Sequence, residues 1–97
     1  MHCLVVLEVM AKAGTGRDLL ALIREMLPDT RNKDGCQVVD VNVNQDDPDN
    51  VLLVMRWASR KHYETYYQGR VAKGDLNRLG EAIDGKPTIR FFDPTGI

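Results

Sequence analysis

Hydrophobic and polar positions change period several times along this chain, and each change marks an element. Cys3–Met10 is an apolar run broken only by Glu8, the pattern of a strand covered on both faces. Gly14-Thr15-Gly16 then reads as a turn. Over residues 17–33 the spacing lengthens. Leu19, Leu20, Ile23, Met26 and Leu27 recur as one stripe, so the segment predicts an amphipathic helix capped near Thr15. Pro28 removes a backbone hydrogen bond, which predicts a kink or break and a second short helical segment up to Lys33. Asp34-Gly35 stops it. In Cys36–Asn44 the period falls to two: Val39, Val41 and Val43 face one way, Asp40, Asn42 and Asn44 the other. The acidic segment 45–50, QDDPDN, predicts a hairpin connection.

Residues 51–58 form a second long apolar run, predicting a strand antiparallel to the one before it. Ser59 is placed to cap a helix over 60–69, because its hydroxyl can accept from the free N–H groups of the first turn. Residues 74–83 carry Leu76, Leu79 and Ile83 at helical spacing, and Asp84-Gly85-Lys86-Pro87 breaks that helix. A last strand is expected over 88–93, with Ile89 and Phe91 on one face and Arg90 and Phe92 on the other. The order is β-α-β-β-α-β with an extra helix before the last strand. That order predicts a ferredoxin-like α+β fold, a four-stranded antiparallel sheet with its helices on one face. The other face keeps apolar side chains from the first, third and fourth strands. Left wet they would form a large patch, so a homodimer packed through the open sheet faces is expected.

Composition narrows the picture mainly by exclusion. Ninety-seven residues make one domain, spanning 1–97. A formal net charge of -1 offers no electrostatic footprint for nucleic acid or an anionic membrane. No apolar run is long enough to span a bilayer, and the N-terminus reads as a strand and not a signal peptide, so a cytoplasmic protein is expected. Cys3 and Cys36 read as free thiols, with Cys36 a buried structural one and not a nucleophile. No set of His, Cys, Asp or Glu has metal-ligand spacing, and the acidic loop 46–49 reads as a solvated turn.

The candidate chemistry is aromatic. The one tryptophan and all three tyrosines fall within residues 51–67. A strand ending in Trp57 and entering a helix with Tyr63, Tyr66 and Tyr67 forms an aromatic corner suited to a flat, partly polar ligand. Trp57 reads as pocket lining or core. The Tyr63 hydroxyl reads as a partner for a substrate oxygen or as a structural phenol, with Tyr67 a further candidate and Tyr66 a surface or interface residue. His62 could act as a general base, against the reading of a solvated histidine early in a helix. Arg56 points away from Trp57 by alternation, toward Glu8 or Asp40 on the open face.

These features, in this order, resemble the antibiotic biosynthesis monooxygenase (ABM) family, and its quinol-monooxygenase-like members above all. The matching stretches are Ala11-Lys12-Ala13-Gly14 after the first strand, Asp34-Gly35-Cys36, Asp47-Pro48-Asp49, and Val54-Met55-Arg56-Trp57-Ala58-Ser59. The family often reads E-x-W-x-S at the last of these. Met55 stands here in place of the glutamate, while Trp57 and Ser59 remain. The resemblance implies a dimeric α+β barrel that oxidises small quinols, anthrones or polycyclic phenols with molecular oxygen, using no metal and no flavin. It implies pocket roles for Trp57 and Tyr63. Leu53, Asn77 and Arg78 fall near other family pocket positions, Arg78 displaced by one residue. The haem-degrading branch needs a histidine further along the second helix, where this chain reads Tyr66-Tyr67-Gln68-Gly69-Arg70, and an asparagine in the first strand, which has none. Two other functions stay open: isomerisation or epimerisation of a small carbonyl compound, and non-catalytic binding of an aromatic metabolite.

Overall fold

The computed structural model describes residues 2–97. Its elements are β1 (Cys3–Met10), α1 (Gly16–Arg31), β2 (Cys36–Asn44), β3 (Asp47–Trp57), α2 (Arg60–Lys73), α3 (Asp75–Ala82) and β4 (Thr88–Phe92). The four strands form one antiparallel sheet in the order β2-β3-β1-β4. The two most apolar strands, β1 and β3, therefore take the centre, and the polar-alternating β2 takes an edge. This is the ferredoxin-like α+β arrangement that the hydrophobic pattern predicts. Among the described residues no helix is long and apolar enough to cross a bilayer.

The core lies between the sheet and the helices. Val5, Val9, Val51, Leu53, Met55 and Trp57 point up from the central strands, and Leu19, Ile23 and Leu27 come down from α1. Leu19, Val5 and Val51 are almost fully buried. Each such side chain contributes roughly 1.5–3 kcal/mol through burial. A charge at Leu19 would remove that gain and strand an unpaired ion among them. The opposite face carries Leu4, Val6, Leu52, Val54 and Phe92 with no helix over it. Arg56 lies exposed on that face, with Leu4 and Val38 as register partners. Among the described residues it forms no ion pair with Glu8 or Asp40. Glu8 instead accepts from the Asn50 side chain at 3.1 Å.

Four local expectations are corrected. First, α1 runs through Pro28 without a break and stops at Arg31. Pro28 stands only one turn from the helix end, so only three helical residues follow the bond it removes. Second, Thr15 occupies the N-cap position but its hydroxyl donates backward to the Lys12 carbonyl at 2.6 Å. Third, α2 does not stop at Gly69. It continues to Lys73 and ends where Gly74 takes φ of 75°, a left-handed conformation that favours glycine. Fourth, β3 begins at Asp47, so most of the acidic segment is strand, and Pro48 falls within a register shift against β2.

The Asp49 part of that segment is not a solvated turn. Its carboxylate accepts from the backbone N–H groups of Gly14 and Gly16, each at 2.9 Å. It fills the capping role that Thr15 leaves open, and a carboxylate there also suits the positive end of the helix dipole. Gly16 is required at this junction, because a Cβ would collide with the Pro48 carbonyl oxygen.

At the far end of the sheet, α3 is sewn to β1. Ala11 and Ile83 form an isolated bridge, and the Asp84 N–H donates to the Met10 carbonyl at 2.7 Å. This attachment leaves a gap between α3, α1 and the sheet.

Candidate functional site

That gap is a cavity of about 260 Å³. Its wall is mostly aliphatic. Leu53 and Met55 come from β3, Ile23 and Leu27 from α1, and Leu79 and Ile83 from the α3 side. The polar groups that reach it come chiefly from α2: Tyr63, Tyr66, Tyr67 and Arg70, joined by Thr30 of α1. Ser59 positions these rings by capping α2, its hydroxyl accepting from the His62 N–H at 3.2 Å.

The aromatic corner is real but layered. Trp57 is 0 % exposed. It sits behind the tyrosines, with ring centroids 5.6 Å from Tyr63 and 5.0 Å from Tyr66. It supports the cavity wall from behind and is not among the residues lining it. Its indole N–H has no hydrogen-bond partner among the described residues. Tyr63 is 4 % exposed and holds the inner wall, edge-on to Phe91 at 5.6 Å. Burial pushes its phenol well above the ordinary tyrosine value, and neighbouring Tyr66 and Tyr67 add to the shift. The group is therefore a neutral hydrogen-bond donor across the physiological range. Tyr67 stands beside Tyr63 at 6.3 Å and is 38 % exposed, where the cavity opens toward the surface.

Leu53, Tyr63 and Tyr67 are thus brought together around one space. His62 and Arg78 are not. The His62 ring turns away, its Nδ1 2.6 Å from Ser59 Oγ and its Nε2 3.6 Å from the Asp34 carboxylate. It lines a separate polar groove between α1 and α2. Arg78 lies on the outer side of α3, in an exposed pair with Glu25 at 3.3 Å. Exposed pairs of this kind contribute little. Met55, at the family's glutamate position, is buried in the cavity wall and makes that wall apolar.

Tyr66 is the largest departure from the sequence reading, which put it at the surface or an interface. It is half-buried, stacked on Trp57 and hydrogen-bonded to Thr30 at 2.9 Å. Arg70 was not singled out at all, yet it is 5 % exposed. Its guanidinium donates to Tyr66, Thr30, the Met26 carbonyl and Asp75, and it lies 3.4 Å from Asp29. Burial works against its charge. The bonds to Tyr66 and Asp75 and the field of Asp29 outweigh that and hold its pKa above the usual arginine value. The sequence did hold a signal: Arg70 follows Tyr66 by four and Tyr63 by seven, on the same helical face. Its i+4 partner was aromatic and not acidic, so charge patterning did not flag it.

The two cysteines are free, Cys3 buried and Cys36 half-buried. Burial raises both thiol pKa values, aided at Cys3 by Asp93, so neither is activated as a nucleophile. Among the described residues no three His, Cys, Asp or Glu side chains converge as metal ligands.

Comparison with known proteins bears on the whole chain. The protein-family model described as Antibiotic biosynthesis monooxygenase (ABM) matches residues 3–73. No curated protein sequence matches. Solved structures share the fold. Rv0793 from Mycobacterium tuberculosis is 21% identical, with a TM-score of 0.82 over 95% of that chain and 97% of this one. A protein described as antibiotic biosynthesis monooxygenase is 19% identical, with a TM-score of 0.83 over 98% of that chain and 96% of this one. SnoaB from Streptomyces nogalater, described as a cofactor-independent oxygenase, is 7% identical, with a TM-score of 0.83 over 93% of that chain and 97% of this one.

Proposed function

The chain belongs to the antibiotic biosynthesis monooxygenase family, and from that premise we propose that it oxidises a small quinol, anthrone or polycyclic phenol with molecular oxygen, without a cofactor. The observation that carries this reading is the cavity of about 260 Å³, apolar except for phenols and one polar end. Such a space suits a flat ring system carrying one or two hydroxyls. SnoaB, which has the same fold, is described as a cofactor-independent oxygenase, and that description is carried to this chain as part of the proposal. Oxygen reacts with the electron-rich, deprotonated ring. The protein's contribution is a dry, shaped site and donors aimed at the ring oxygen. Tyr63, which lines the cavity, orients the ring. Leu53 and Tyr67 hold its faces, and Trp57 stiffens the wall behind them. His62 and Arg78 lie outside the cavity, and neither contributes to this reading.

The assembly proposed is a cytoplasmic homodimer. Leu4, Val6, Leu52, Val54 and Phe92 lie on a sheet face with no helix over it, and a second copy would cover it. Light scattering on the purified protein tests this, and a monomeric mass at micromolar concentration would remove it.

Activity is tested by oxygen uptake with a panel of hydroquinones and anthrones, using protein verified free of flavin and metal. Turnover above the uncatalysed rate, reduced in Tyr63→Phe, is the expected result. No uptake with any member of the panel would sink the oxygenase reading. Turnover under nitrogen would favour the isomerase.

A further inference from the structure

The polar end of the cavity has a hydrogen-bond count that does not close. Thr30 and Tyr66 both line it, with their oxygens 2.9 Å apart. Arg70 donates to both, through Nε to the Tyr66 hydroxyl at 3.2 Å and through Nη2 to Thr30 Oγ1 at 2.7 Å. An arginine only donates, and each hydroxyl brings one proton. One of those two protons serves the Thr30–Tyr66 bond. The other has no acceptor among the described residues: beyond the bond between them, the Thr30 and Tyr66 oxygens bond only to Arg70, which donates to both.

Burial decides which proton is left over. Thr30 is 2 % exposed, and a free hydroxyl proton there would be stranded. Tyr66 is only half-buried and borders both the cavity and the adjoining polar groove. The arrangement that strands nothing has Thr30 donating to Tyr66 and Tyr66 turning its proton to the cavity. Its oxygen is then held by two donors, one of them charged, and donation toward the cavity is strengthened. Tyr63 has no donor on its oxygen among the described residues.

We propose that Tyr66, its oxygen held by Arg70 and Thr30, is the group that donates to and stabilises the phenolate oxygen of an aromatic substrate. This rests on the reading above that the cavity takes a phenol. It adds a catalytic residue, Tyr66, and two positioning residues, Arg70 and Thr30. It also gives the substrate an orientation, with its ionising oxygen toward the α1–α2 junction and its apolar rings toward α3 and the sheet. The titratable and charged groups at this end are Asp29 of α1, Tyr63, Tyr67 and Arg70 of α2 and Asp75 of α3, and the adjoining polar groove adds Lys33, Asp34, Lys61, His62 and Lys73.

The test uses 4-nitrophenol under nitrogen, so that no oxygen chemistry is required. The visible absorbance of the bound probe reports its ionisation between pH 5 and 9. Wild type is expected to bind the phenolate about tenfold more tightly than the phenol, lowering the apparent pKa of the bound probe by about one unit. Tyr66→Phe and Thr30→Val should each lose most of that preference while still binding the neutral phenol. Arg78→Gln, on the outer side of α3 and outside the cavity, should keep it. The surrounding charged groups are the same in every variant, so their contributions cancel in the comparison. Tyr66→Phe keeps the ring stacked on Trp57, and thermal denaturation verifies that each variant is folded. A folded Tyr66→Phe protein with the wild-type preference overturns the inference and leaves the cavity's function standing. No binding of either form to wild type overturns the inference and the phenol reading together.

Discussion

The Asp49 carboxylate accepts a hydrogen bond from the Gly16 N–H at 2.9 Å, across 33 positions of sequence. A strand residue thus caps the first helix, whose own N-cap threonine faces the other way. Asp49→Ala should cost about 0.5–2 kcal/mol, the range for a lost N-cap, and Asp49→Asn less. Gly16→Ala should cost more than Asp49→Ala, because its Cβ would meet backbone and not a movable side chain. Urea denaturation followed by circular dichroism orders the three variants. An Asp49→Ala protein as stable as wild type would refute the capping role.

Tyr63 links the cavity to pH. Its folded-state pKa lies above the ordinary value because burial disfavours the phenolate. Its contribution to stability is therefore complete below the unfolded tyrosine value of about 10 and falls as pH rises past it. The slope from this one group reaches at most about 1.4 kcal/mol per pH unit. Subtracting Tyr63→Phe from wild type in denaturation midpoints at pH 8 through 11 should reveal that slope above pH 10 and none below. A flat difference would mean the phenol is open to solvent.

Trp57 is fully buried with an unpartnered indole N–H. Trp57→Ala should cost about 3–5 kcal/mol as a large core truncation. Trp57→Phe should cost much less, about 1 kcal/mol, since it also removes a buried donor that lacks an acceptor. Circular dichroism is the probe for both, because each variant removes the only tryptophan. Equal costs would show that the N–H is satisfied in solution.

Gly69 lies inside α2, where an added Cβ would meet nothing within 4 Å. Gly69→Ala should stabilise the protein by about 0.5–1 kcal/mol, the helix-interior difference between the two residues. A higher thermal midpoint checks it. A lower one would show that the neighbouring groove needs the space.

Much of the fold was legible because it depends on local periodicity. The alternation of Val39, Val41 and Val43 in β2 and the largely apolar runs of β1 and β3 already distinguish an edge strand from central ones. The 3.6-residue stripe of Leu19, Ile23 and Leu27 marks the buried face of α1. Ser59 capped its helix as its residue type predicts. What periodicity could not supply was the partner of any group whose partner is distant in the chain. Asp49 looked like one acid in a polar turn until the fold brought Gly16 to it. Gly69 looked like a stop until packing of α2 outweighed its weak helix propensity.

The same division runs through the site. The sequence by itself determined that the aromatic residues cluster between strand and helix, and that Tyr63 and Tyr67, four apart, share a helical face. Only the tertiary structure decided that Trp57 stands behind the wall, that His62 and Arg78 turn elsewhere, and that Tyr66, Arg70 and Thr30 meet. Helical spacing tells which side chains share a face, but burial and hydrogen bonding are set by what that face meets. Here it met α1, and a buried guanidinium had to find acceptors there.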